Sequence, residues 1–246
     1  MKKVMALVLA LAMVFSTITV AFAEDEVSAE AKALATIGML EGDGGGVTAD
    51  YTAKELNRFT AAIMILKLKG LYEDALKYDG VNNFADVAEL KWEEGKKVLA
   101  YVKDNPVGFA GNEKGEFKPY DTLSEQMLYK VLLENLGYKQ TTAEIADGDF
   151  AWDGTLEFAE KLGLKPAKAE KFTVDGLAKA VVASLKTNMK DGKAWIEVLV
   201  ESEKVNKEKA VAADLMADAP ATTDAKLSAL KAISNNKLEV KFDDDV

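Results

Sequence analysis

The stretch NNFADVAELKWEEGKKVLAYVKDNPVGFAGNEKGEFKPYDTLSEQMLYKVLLENLGY, Asn82 to Tyr138, decides the fold. It reads as one unit: a cap, a helix, a glycine-rich loop and a second helix. Asp86 is placed to accept bonds from the unpaired amides of a first helical turn. Trp92, Val98, Leu99 and Val102 recur at roughly helical spacing and mark one apolar face. Asn105-Pro106 ends that helix, because a residue before proline avoids the helical region. Gly108, Gly111 and Gly115 occupy the loop, which Phe117 and Pro119 close. A second helix opens near Leu123-Ser124-Glu125 with Ser124 as its cap. It carries Met127, Leu128, Val131, Leu132 and Leu136 and stops at Gly137.

Part of this unit recurs upstream. Leu56 to Gly70 and Leu123 to Gly137 have equal length and are offset by 67 residues, the mark of a repeated module. In the upstream copy Ala61, Ala62, Ile65, Leu66 and Leu68 supply the helix face. Ala33, Leu34, Ile37 and Leu40 mark an earlier helix, followed by the flexible loop Glu41 to Gly46. Downstream, Asp149-Phe150-Ala151-Trp152 begins a third unit, continued by Phe158, Leu162 and Leu164. Phe172 to Leu177 opens its second helix, with Val181, Val182 and Leu185 on the core face. Lys193 to Val205 reads as a final helix with Trp195, Ile196, Leu199 and Val200 facing inward. Leu227 to Val246 then alternates like a β-hairpin around Asn235-Asn236.

The order Phe84, Asp86, Val87, Trp92, Gly111, Gly115, Phe117, Pro119, Leu123, Ser124, Leu136, Gly137, Tyr138 resembles the S-layer homology (SLH) domain. Its pattern runs F-x-D-V, a tryptophan, G-x-x-x-G-x-F-x-P, L-T-R-A-E and L-G-Y. The resemblance covers about Ala31 to Val205 and is to the triplets of clostridial surface proteins. It implies a mainly α fold of three helical repeats around a pseudo-threefold axis. The hairpin resembles the start of an Ig-like domain. The organisation expected is a signal peptide over 1–23, repeats over 24–78 (abbreviated), 79–140 and 141–206 (degenerate), a linker over 207–225 and the beginning of a β domain over 226–246.

What the resemblance implies for function is attachment to secondary cell-wall polysaccharide, often pyruvylated. Arg58 falls on the arginine of L-T-R-A-E and matches the role of pairing with a pyruvate-ketal carboxylate through two charge-assisted bonds. Asp86 and Trp92 match groove-lining positions, one accepting sugar hydroxyls and the other packing on a sugar face. Two of the three arginine positions hold Glu125 and Val174, so two of three grooves are expected to lack an anion site. The alternative reading is a structural S-layer subunit or spacer that self-associates and binds wall weakly or not at all.

Composition narrows the classes. The 246 residues are 49% apolar and 29% charged, as in a globular protein. Lys2-Lys3, the apolar run Val4 to Phe15 and the Ala21-Phe22-Ala23 site form a secretory signal. That run is shorter than the ~20 residues of a membrane span. A surface location and no membrane span after cleavage are therefore expected. The net charge of −10, or −12 without the two lysines, opposes binding to nucleic-acid phosphates. With no histidine and no cysteine, His-based nucleophile systems, disulfides and the usual zinc sites are excluded. No cofactor and no catalysis are expected. Asp149 to Glu160 matches a calcium loop in part, but Ala151 stands where a ligand is needed. Arg58 is the single arginine among the 31 basic residues.

Overall fold

The computed structural model describes residues 27–169 and 171–217, and the backbone of 227–234 and 237–242. The signal-peptide segment and the 218–226 stretch lie outside the described residues. In chain order the helices are α1 (Ala29–Thr36), α2 (Ala49–Thr52), α3 (Arg58–Leu68), α4 (Tyr72–Leu76), α5 (Glu93–Asp104), α6 (Glu125–Asn135), α7 (Thr155–Lys161), α8 (Val174–Lys186), α9 (Trp195–Glu201) and α10 (Lys207–Ala212). A 3₁₀ turn, Val87–Glu89, precedes α5.

The three long second helices, α3, α6 and α8, start the same way. Asn57, Ser124 and Thr173 are their N-caps, and each side chain accepts from the amide three residues on. This satisfies donors that a helix start otherwise leaves unpaired. The segments leading into them pair with one another. The Leu56 amide donates to Phe172 O at 2.8 Å, the Val174 amide to Lys54 O at 3.0 Å, and the Leu123 amide to Leu56 O at 2.8 Å. Antiparallel bridges Glu55–Thr173 and Asn57–Thr122 complete the junction. Residues 54–58 are thus the middle of three converging helix starts. The side chains behind the junction, Leu56, Leu123, Leu128, Leu132, Leu177 and Val181, are fully buried. Helix α7 packs on α6, and α1 on α8, so the first of the described helices closes against the last long one.

Several sequence expectations need correction. The expected class, three helical repeats about a pseudo-threefold axis with a C-terminal β-hairpin resembling the start of an Ig-like domain, does not stand as a whole. The body is helical, and the only strands among the described residues are β1 (Leu227–Ser234) and β2 (Lys237–Phe242). They form one antiparallel two-stranded sheet with register shifts. Two strands cannot enclose a core, and a sandwich needs two packed sheets. The units are also unequal. Phe84 stands nine residues before the first residue of α5, whereas Phe150 stands five before that of α7. The third unit therefore has no counterpart of the 3₁₀ turn that follows Asp86. Trp92 is not on the apolar face of α5. It is the N-cap residue, 40% exposed, while Val98, Leu99 and Val102 are buried. The 207–225 stretch begins with α10, whose Ala210 is buried, followed by buried Leu215.

Candidate functional site

Arg58 is the first residue of α3, and its half-buried side chain reaches the loop of the second unit. Its Nε donates to Phe117 O at 2.9 Å and its Nη2 to Ala110 O at 3.0 Å. The guanidinium lies 5.1 Å from the centroid of the Phe117 ring, within reach of a cation–π attraction. Burial pulls its pKa below the usual arginine value, opposed by the charges of Asp121 and Asp86. The group stays charged at any physiological pH. Glu55, three residues upstream, does not take it. That carboxylate pairs with Lys171 at 2.7 Å and accepts from Thr122 Oγ1 at 3.3 Å.

Asp86 grips the same loop. Its Oδ1 accepts from the Phe117 amide at 2.8 Å and its Oδ2 from the Lys118 amide at 2.7 Å. Its side chain makes no cap bond to the helical turn that follows it, and the residue is 6% exposed. Arg58 and Asp86 thus hold opposite sides of Phe117, one its carbonyl and the other its amide. Both Asp86 oxygens are committed inside the protein. Lys118, held in the left-handed region at φ 60°, is the residue at which the loop turns.

The structure therefore brings two of the three sequence candidates together and separates the third. Trp92 lines a different cavity of about 320 Å³ with Met39, Glu41, Tyr51, Thr60 and Lys67. Its ring packs edge-on against Phe59 with centroids 6.0 Å apart. Arg58 instead lines a cavity of about 160 Å³ with Phe109, Ala110, Met127, Lys130 and Trp152. Gly108 also borders it. At φ +96° it adopts a conformation L side chains avoid, and a Cβ there would meet Val131 Cγ1 at 2.9 Å. A second, more open cavity of about 420 Å³, lined by Asn112, Glu116, Lys118 and Asp121, adjoins Arg58 on the loop side.

Sequence reasoning missed Trp152, which is 43% exposed, and Lys130, which pairs with Glu134 at 2.8 Å. A signal existed. Thr60, Ile63 and Met64 line the Trp92 cavity, and Met127, Lys130 and Val131 line the Arg58 cavity. The two sets are related by the same 67-residue offset. Each groove is thus one loop, one second helix and a tryptophan from the start of the next unit. Val174, at the third arginine position, is buried.

The Arg58 cavity offers a planar cation and the partly exposed indole of Trp152. Such a set suits a sugar carrying a carboxylate. Asp149 and Glu160, the ends of the partial calcium loop, are engaged elsewhere, with Lys190 at 2.7 Å and Lys168 at 2.6 Å. Among the described residues no cluster of three or more carboxylates is placed to hold a metal ion. No helix of the described residues is long and apolar enough to cross a membrane. No protein-family model, curated protein or solved structure matches the chain.

Proposed function

We propose that this chain is a non-catalytic cell-surface module that binds an acidic wall polysaccharide, as the resemblance to SLH domains implies, and that the groove of Arg58, Lys130 and Trp152 holds it. The observation that carries the reading is the presence of Arg58 and the partly exposed Trp152 in one cavity. Two of the five guanidinium N–H groups hold the loop carbonyls. The three that remain, on Nη1 and Nη2, are the donors for a carboxylate, and an indole packs on the apolar side of a sugar ring. At about 160 Å³ the cavity is below the ~300 Å³ typical of sites for larger ligands. It suits the terminal residue of a polymer rather than an extended run of sugars. The negative net charge makes the attraction local to this groove.

The test is cosedimentation of the full chain with purified wall sacculi. Wild type should pellet and be displaced by soluble wall polymer. Trp152→Ala should weaken binding by about tenfold or more, as expected of a central aromatic contact. Removing ketal-linked pyruvate from the wall by mild acid should weaken wild-type binding to the same degree. Arg58→Ala should abolish binding, with a thermal melt run beside it because Arg58 also holds the 110–117 loop. Equal pelleting of wild type and Trp152→Ala would remove the groove from consideration.

A further inference from the structure

Glu125 and Gln126 form the first turn of α6, and each bonds to the third unit on opposite sides of α7. Glu125 is 7% exposed. Its Oε1 accepts from the Ala167 amide at 2.6 Å and its Oε2 from the Lys168 amide at 2.7 Å. This is the grip that Asp86 has on Phe117 and Lys118, repeated one unit later. Both gripped pairs end in a left-handed lysine, Lys118 at φ 60° and Lys168 at φ 53°. The third unit lacks the segment that would carry its own aspartate, so a carboxylate from the preceding unit supplies the acceptor. The Ala167 and Lys168 residues are themselves exposed, but their amides turn inward to that carboxylate. Glutamate at the arginine position is thus a replacement with a task of its own. An arginine there would set a donor against two donors.

Gln126 Nε2 donates to Trp152 O at 2.6 Å, a carbonyl that also accepts from Thr155 Oγ1 at 2.6 Å. Lys168 returns to α7 through its ion pair with Glu160 at 2.6 Å. The start of α6 therefore holds the chain before α7 through Gln126 and the chain after it through Glu125.

We infer that Glu125 and Gln126 are positioning residues for the ligand groove, clasping α7 at both ends so that Trp152 stands across the cavity from Arg58. The inference rests on the proposed function of that groove. It makes the second inter-unit interface a support for the Arg58 groove rather than a site that has lost its ligand.

The test uses the full chain labelled with 5-fluorotryptophan, its resonances assigned by single Trp→Phe variants, with sacculus binding measured on the same samples. Gln126→Leu removes the donor and keeps most of the volume. It should shift or broaden the Trp152 resonance while leaving those of Trp92 and Trp195 in place, and leave the melting temperature nearly unchanged. Binding should fall by between about twofold and tenfold, the size of one lost hydrogen bond. Gln126→Asn should recover part of the loss. Glu125→Gln keeps one acceptor and should perturb the same resonance with a lower melting temperature. An unmoved Trp152 resonance in both variants would overturn the inference, as would a moved resonance with wild-type binding in Gln126→Leu. Wild-type binding by Trp152→Ala would overturn the groove reading and the binding role together, whatever the resonance shows.

Discussion

At the scale of single residues the two carboxylate grips decide more than their sequence positions suggest. Asp86 was legible as a helix cap, because aspartate before an amphipathic run is a common start signal. Its two partners lie 31 and 32 residues downstream. No local pattern encodes that closure, since it depends on how the loop returns after α5. The two readings differ in magnitude. Losing a cap costs about 1 kcal/mol. Losing two charge-assisted bonds and leaving the Phe117 amide buried without an acceptor costs about 2 to 4 kcal/mol. Asp86→Ala should therefore lower unfolding free energy by the larger amount in urea titration, and Asp86→Asn by less, because one acceptor oxygen remains. A loss near 1 kcal/mol in Asp86→Ala would return the residue to a cap. Glu125 shows the opposite failure of legibility. Its identity was read as a charge lost from a motif, whereas the residue meets a need created by a deletion in another unit.

At the scale of elements, α3, α6 and α8 were legible because each carries a capping side chain and an apolar face, whereas α5 was legible from its apolar face and Asn105-Pro106 alone. Ser124 caps α6 as the sequence indicates, and Gly70 and Gly137 follow α3 and α6 in the left-handed region. The short helices were not. Tyr72–Leu76 lies in a stretch with no apolar period of its own, and α10 in the stretch expected to be a linker. Each buries only one or two apolar side chains, too few to create a periodic signal. Ala75 anchors the first and Ala210 the second, with Leu215 buried just after it. Helix α10 packs against both α1 and α9, so it belongs to the body. Leu215→Ala should cost about 2 to 3 kcal/mol, the lower part of the range for a buried leucine. A residue in a mobile linker would change stability by less than about 0.5 kcal/mol. Urea unfolding of the full chain separates the two outcomes, with an exposed control such as Glu208→Ala expected to be neutral.

At the scale of the molecule, the absence of histidine fixes the shape of the stability profile with pH. No side chain of ordinary pKa titrates between about 5 and 8 except histidine. The described shifts fall on either side of that gap. Lys54 holds the Asp43 carboxyl below the usual range, a hydrogen bond from Tyr78 does so for Asp104, and Lys190 for Asp149. A depressed carboxyl contributes stability fully above its unfolded value of about 4, and that contribution is lost as pH falls through the lower folded value. On the other side, burial pushes the Tyr129 phenol up, with Glu125 adding to the effect, and burial raises Tyr51 as well. A raised phenol favours the fold up to its unfolded value of about 10, and the contribution is lost as pH rises further. The melting temperature of the full chain should therefore be flat between about pH 5 and 9 and fall beyond both ends. Removing the Asp149–Lys190 pair with Asp149→Asn should flatten the acid limb and leave the alkaline limb in place. A step near pH 6 to 7 would mean that a carboxylate or lysine is far more perturbed than its partners allow. Wall binding offers a second reading of the same titration. Arg58 keeps its charge throughout, so binding that falls within the flat region would have to come from the ligand or the wall and not from the groove.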